Sequence, residues 1–304
     1  MHTLDPMRHM ARAFHVSSLL LIASTVQSGH AAGDPFGQHH SPATQITPDN
    51  VTQLEPAWTH RNGDMAAAEG VPSSVSAQST PILLPRVAGE HLVYCTPFNR
   101  VIALDPQTGR ERWTYDPRVR RTSERPYRCR GVAYSPVAQV EAAGACQHRI
   151  YTVTGDRRLI ALDARDGKRC AGFGAGGEVA LAEHERYGLE EVGSSSPPAV
   201  ANGVVVVGSS VIDFAYAEAP RGLIAAYDAI TGEPRWTFDP LEGVSGTGAG
   251  NAWAPIAVDA ASDMIFVPTS APSPDYYGAL RVGRNGYANS VVALRLSTGA
   301  VVWS

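Results

Sequence analysis

Apolar positions along this chain fall in short bursts separated by turn residues, with almost no stretch of helical spacing. The clearest burst runs Val101-Ile-Ala-Leu-Asp105, turns through Thr108-Gly109 and resumes to Trp113 and Tyr115. The phrase returns from Leu223 to Pro240, with its turn at Thr231-Gly232 and its aromatic at Trp236. Weaker copies run from Leu159 to Cys170 and from Val291 to Trp303. Apolar run, Gly-containing turn, apolar run is the pattern of a β-hairpin. The equivalent positions Asp105, Asp163, Asp228 and Arg295 recur at intervals of roughly 60 residues, room for four strands and their connections. The pattern predicts an all-β chain, a β-propeller of four-stranded blades. The repeated Trp113, Trp236 and Trp303 are expected to pack between neighbouring blades. Gly203-Val-Val-Val-Val-Gly208 reads as the most clearly buried strand, and Glu183 to Val192 as the one fair helix candidate.

Composition adds limits. The 304 residues are 44% hydrophobic, enough for a packed core, and the 29 glycines and 22 prolines sit between apolar runs as turn formers. A net charge of −4 gives no basic footprint, so no nucleic-acid partner is expected. Arg8 and Arg12 precede an apolar stretch from Val16 to Val26, followed by small residues near Ala31-Ala32. This predicts an export signal over residues 1–32, a mature domain over 33–304 and a periplasmic location, with an uncleaved membrane anchor as the alternative. The cysteines are Cys95, Cys129, Cys146 and Cys170, none in a CxxC pair, so zinc is not expected. An exported chain with an even count points to disulfides. Cys129–Cys146 is the expected pair, because both flank one strand–turn segment; a buried free thiol is an equal reading for Cys170. His39-His40 reads as a solvated pair in a polar lead.

Thr-Gly-x-x-x-Trp after an Ile-Ala-Leu-Asp strand resembles the repeat of pyrroloquinoline quinone (PQQ)-dependent dehydrogenases. The stretches between the repeats narrow the resemblance to the glucose/quinate/shikimate branch. Gln45-Ile-Thr-Pro-Asp-Asn-Val51, Cys95-Thr-Pro-Phe-Asn-Arg100, Cys129-Arg-Gly-Val-Ala-Tyr134, Ser195-Ser-Pro-Pro198, Gly208-Ser-Ser-Val-Ile-Asp213, Asn251-Ala-Trp-Ala-Pro255 and Ser273-Pro-Asp-Tyr-Tyr-Gly278 occur in that branch's order. Each motif is weak by itself; in order they cover nearly all of the mature chain.

The resemblance implies an exported oxidoreductase that oxidises a sugar, polyol or cyclic alcohol with PQQ and Ca²⁺ or Mg²⁺ and passes electrons to ubiquinone. PQQ is a flat polyanionic o-quinone and needs an aromatic plane, positive charge and polar groups. Trp253, outside the repeats and in a Gly-rich setting, matches the family position that stacks on the quinone. Arg130 matches an Arg beside the quinone oxygens, where a guanidinium suits bidentate anion recognition. Ser195 and Ser196 match a cofactor-contacting pair, although a turn before Pro197-Pro198 explains them equally well. Asp213 ends the buried run after Gly208 and matches a metal ligand, in keeping with the preference of hard cations for oxygen. No catalytic residue is assigned within the chain.

The chain also departs from the pattern. Gln78 stands where the family has an acidic residue, Phe98 where many members carry a His, Phe214 where an Asn follows the metal Asp, and Ala271 where some members use an Asn. The family propeller has eight blades, and this chain carries about half the repeats. The resemblance places the general base in a His-His-Asp stretch beyond Ser304, so the chain is expected to be a fragment, a truncated gene product, or one half of a split protein that a C-terminal half would complement. An isolated half-propeller also leaves an unpaired blade edge. A cofactor-free propeller scaffold of the outer-membrane-assembly type is the competing class. Gly172-Phe-Gly-Ala-Gly-Gly177 satisfies GxGxxG, but no buried strand runs directly into it and no βαβ alternation follows, so nicotinamide binding is not expected.

Overall fold

The computed structural model describes residues 44–67, 75–121, 126–137, 144–181, 187, 191–281 and 283–304. Residues 1–32, where an export signal is expected, His39-His40 and most of the Glu183–Val192 helix candidate lie outside these; Val192 itself opens a two-residue strand, Val192–Gly193.

Four sheets, each of four antiparallel strands in sequence order, form successive blades. Blade 1 comprises Ile82–Leu83, Leu92–Cys95, Val101–Leu104 and Glu111–Tyr115. Blade 2 comprises Ala133–Pro136, His148–Val153, Arg158–Asp163 and Glu178–Ala180. Blade 3 comprises Ala199–Ala201, Val204–Val207, Ile224–Asp228 and Pro234–Phe238; blade 4 comprises Ala257–Asp259, Met264–Pro268, Val291–Arg295 and Val301–Trp303. Among the described residues the α-helical content is one turn, Asp64–Ala67. The chain is therefore an all-β propeller, as the repeat pattern predicts.

The blades stack face to face, which is why their central strands are apolar on both sides. In Arg158–Asp163, Ile160 and Leu162 pack towards Val93, Val101 and Ala103 of blade 1. The alternate residues Leu159 and Ala161 pack towards Val205 and Val207 of blade 3. Val204 and Val206 face the other way, to Ile265, Val267, Val292 and Leu294 of blade 4. Successive side chains of a strand point to opposite faces, so a strand sandwiched between sheets loses its polar alternation.

The turns between third and fourth strands are built alike. Each closes with the Gly N–H donating to the carbonyl of the residue that begins the turn: Gly109 to Asp105, Gly167 to Asp163, Gly232 to Asp228 and Gly299 to Arg295, at 2.8–2.9 Å. All four glycines adopt left-handed φ between 68° and 77°, where other residues are strained. Trp58, Trp113 and Trp236 each lie on the turn glycine of the blade that follows, Gly109, Gly167 and Gly299. The inter-blade role expected of Trp113 and Trp236 is thus observed. Trp303, on the last strand of blade 4, is 49% exposed and rests near Phe266. Blade 2 has Ala171 at the Trp position, and there Val179 and Gly174 cover Gly232 instead. The GxGxxG stretch is therefore a turn leading into an outer strand, with Gly174 pressed against the next blade and donating to Thr231.

The disulfides join Cys95 to Cys129 and Cys146 to Cys170. This corrects the expected Cys129–Cys146 pair and leaves no free thiol at Cys170. Cys129 precedes the first strand of blade 2 and Cys146 follows it, so Ala133–Pro136 holds them at opposite ends of the blade. Each bonds instead to the cysteine at its own end.

Candidate functional site

In a meander of four strands, the segment entering the first strand and the turn between the second and third lie at the same end of the blade. The Asp-to-Gly turns lie at the other end. At the first end the segments between the repeats converge on a cavity of about 450 Å³. Blade 1 contributes Asn99, the approach to blade 2 contributes Arg128 and Arg130, and the approach to blade 3 contributes Ser194 and Ser195. The turn of blade 3 contributes Asp213 and Phe214, and the approach to blade 4 contributes Trp253.

Arg130 is fixed from several directions. The strand Tyr127–Cys129 before it pairs in parallel with Val75–Ala77, and Cys129 is bonded to blade 1. Its backbone N–H donates to the Ser195 carbonyl at 2.9 Å, and its own carbonyl accepts from Thr80 at 3.1 Å. Its guanidinium donates to the Ser195 hydroxyl and lies 5.0 Å from the centre of the Trp253 ring. Burial, and then the neighbouring Arg128, pull its pKa below the usual guanidinium range. It remains a cation, because even a depressed guanidinium stays protonated. A cation this close to an indole face is attracted by the ring quadrupole, by about 0.5–1 kcal/mol at exposed sites.

Trp253 is 46% exposed, an unusual state for a Trp with packed neighbours. The Ser196 hydroxyl donates to its carbonyl, tying the approaches to blades 3 and 4 together. Ser195 thus faces the cavity, whereas Ser196 acts on it through the Trp253 backbone. Asp213 sits exposed at the rim. Partial desolvation and then Asp275 raise its carboxyl pKa, with Arg128 acting in the opposite sense.

The donor set can be tested against the groups the resemblance implies. Three arginines, Arg120, Arg128 and Arg130, line a cavity that holds one carboxylate, Asp213, beside an accessible indole. This fits a planar polyanion. For a divalent cation, Asp213 offers one hard oxygen ligand; among the described residues no cluster of three or more His, Cys, Asp or Glu forms.

The departures from the family pattern separate spatially. Gln78 is exposed and donates to Ser76. Phe98 is buried, with Tyr127 at 5.1 Å and the Arg121 guanidinium 3.8 Å from its ring centre. It lines a neighbouring cavity of about 330 Å³ with Asp64 and Arg100. Phe214 borders the main cavity, and the Ala271 carbonyl accepts from Gly250 at 3.2 Å. Sequence reasoning missed Asn99, Arg120, Arg128 and Asp275. The arginines had a signal in the basic loop from Arg118 to Arg130. Asn99 had one in its turn chemistry: φ is 61°, and its side-chain carbonyl accepts the Gly155 N–H at 2.9 Å.

The profile of the PQQ glucose/ethanol/alcohol dehydrogenase β-propeller domain matches residues 29–304. The chain belongs to this family. Quinoprotein glucose dehydrogenase A of Acinetobacter calcoaceticus is 34% identical over 292 residues, covering 88% of this chain and 36% of that protein. Quinate/shikimate dehydrogenase (quinone) of Acinetobacter baylyi is 34% identical, covering 90% and 36%. The crystal structure of quinohemoprotein alcohol dehydrogenase from Comamonas testosteroni superposes with a TM-score of 0.69 at 26% identity, covering 90% of this chain and 40% of that one. The chain thus spans little more than a third of the length of these curated relatives.

Proposed function

We propose that the chain supplies one wall of the PQQ site of an exported dehydrogenase, over residues 33–304, that oxidises a sugar, polyol or cyclic alcohol and passes electrons to a quinone such as ubiquinone. The observation that carries this reading is the Arg130–Trp253 pair, cation against indole, at the edge of a cavity with three arginines. A cofactor-free scaffold has no use for that assembly. The two disulfides support an oxidising compartment and hence export. No helix among the described residues is long and apolar enough to cross a membrane.

Bound PQQ would supply the two-electron acceptor for the alcohol carbon. Trp253 would offer the stacking plane, and Ser196 would hold that plane through its backbone. Arg130, itself held by Ser195, would bind and polarise quinone or carboxylate oxygens. Asp213 would provide one oxygen ligand to Ca²⁺ or Mg²⁺.

The test is an equilibrium titration of the full-length protein with PQQ, followed by absorbance, with calcium, with magnesium and with chelator. Dye reduction by glucose, quinate and glycerol is then measured. Saturable binding that weakens on chelation is expected. A protein that binds no PQQ under any of the three conditions overturns the reading.

A further inference from the structure

We propose that Phe214, backed by Tyr276, is the specificity-determining stacking face for a ring-shaped polyol at the mouth of the Arg130–Trp253 cavity. This rests on the dehydrogenase reading above and names the substrate class it would take.

Phe214 is built in an unfavourable way for an incidental surface residue. Its φ is 63°, the left-handed region, and its ring is 69% exposed. A bulky residue there costs about 1–2 kcal/mol of backbone strain, and its exposed ring recovers little of that by burial. The conformation is held from outside. The Asp275 carboxylate accepts the Phe214 N–H at 2.9 Å. The next residue, Tyr276, lies on the Phe214 ring nearly parallel, at 13° and 5.0 Å between centres. Two consecutive residues from the turn of blade 4 therefore grip one residue from the turn of blade 3, one by its backbone and the other by its ring. Tyr276 is 88% exposed, so the stack stands proud of the surface beside the cavity.

The surroundings select the occupant. Phe214 follows Asp213 directly and shares the cavity lining with Arg128 and Arg130. An apolar plane beside charged hydrogen-bonding groups matches a cyclic polyol, which presents a C–H face on one side and a hydroxyl edge around it. An acyclic polyol has no rigid face to lay on the ring.

The test compares the PQQ-loaded full-length protein with its Phe214→Gly, Phe214→Tyr and Tyr276→Ala variants. Glycine relieves the strained φ while removing the ring, so Phe214→Gly should fold at least as stably as the parent. Its KM for glucose and quinate should rise about tenfold, with kcat nearly unchanged and the KM for glycerol within about twofold. Tyr276→Ala should show a smaller shift in the same direction, and Phe214→Tyr should behave as the parent. Equal shifts for ring and acyclic substrates, or no shift, overturn the proposal. If the loaded protein oxidises none of the three, the PQQ titration alone decides the dehydrogenase reading, and saturation-transfer NMR decides the stacking face by itself. Transfer to glucose C–H protons with the parent but not with Phe214→Gly supports it; no transfer with the parent overturns it.

Discussion

The indole of Trp236 lies across the α-carbon of Gly299 in the next blade and donates its Nε1–H to the Leu296 carbonyl at 2.8 Å. A Cβ on Gly299 would come within 2.7 Å of the ring, at a φ of 74°. Gly299→Ala therefore combines backbone strain with overpacking and should cost about 3 kcal/mol. Gly203 has a similar φ of 75° but nothing within 4 Å of an added Cβ, so Gly203→Ala should cost only about 1 kcal/mol. Urea unfolding midpoints measure the difference; equal losses would show that the Trp236 contact is not what the glycine serves.

Trp253→Ala should weaken PQQ binding about tenfold or more, because it removes the stacking plane. Arg130→Ala should do the same, and Arg130→Lys should not restore affinity, since an ammonium lacks the planar fork. Absorbance titrations measure both. Unchanged thermal midpoints in the same variants would separate lost cofactor contacts from lost fold.

Cys95 and Cys129 enclose a separation of 34 residues, and Cys146 and Cys170 one of 24. Replacing either pair by Ser should lower stability by about 3–4 kcal/mol. Non-reducing peptide mapping should recover Cys95 linked to Cys129 and Cys146 linked to Cys170. The first pair also anchors the segment carrying Arg130, so its loss should weaken PQQ binding as well, whereas loss of the second should not.

The Asp105 carboxyl is held at about 2 by the Arg112 guanidinium and by backbone N–H groups of its turn. A depressed pKa means stability that is fully present above the ordinary value of 3.8 and is lost as pH falls through about 2. Asp105→Asn should therefore melt below the parent at pH 7, with the gap closing between pH 4 and 2. Thermal scans across that range check it; a gap independent of pH would assign the effect to the turn alone.

Local pattern carried the fold. The runs ending at Asp105, Asp163, Asp228 and Arg295 have short-range requirements, a strand, a glycine with positive φ and a return strand, and these are visible in any window of the chain. Arg130, Ser195, Asp213 and Trp253 were legible only as likenesses to a family, because nothing local makes an Arg after Cys or a Trp after Asn-Ala converge. Their convergence is set by the stacking of blades, which brings the approaches to three different blades to one cavity. The disulfide partners were decided in the same way: the strand Ala133–Pro136 keeps Cys129 and Cys146 apart, while the packing of blade 1 on blade 2 brings Cys95 to Cys129. The sequence by itself determined the strands, the turns and the composition of the segments between them. Only the tertiary structure decided which of those segments meet, because their meeting depends on side chains packed between sheets many residues apart and not on spacing along the chain.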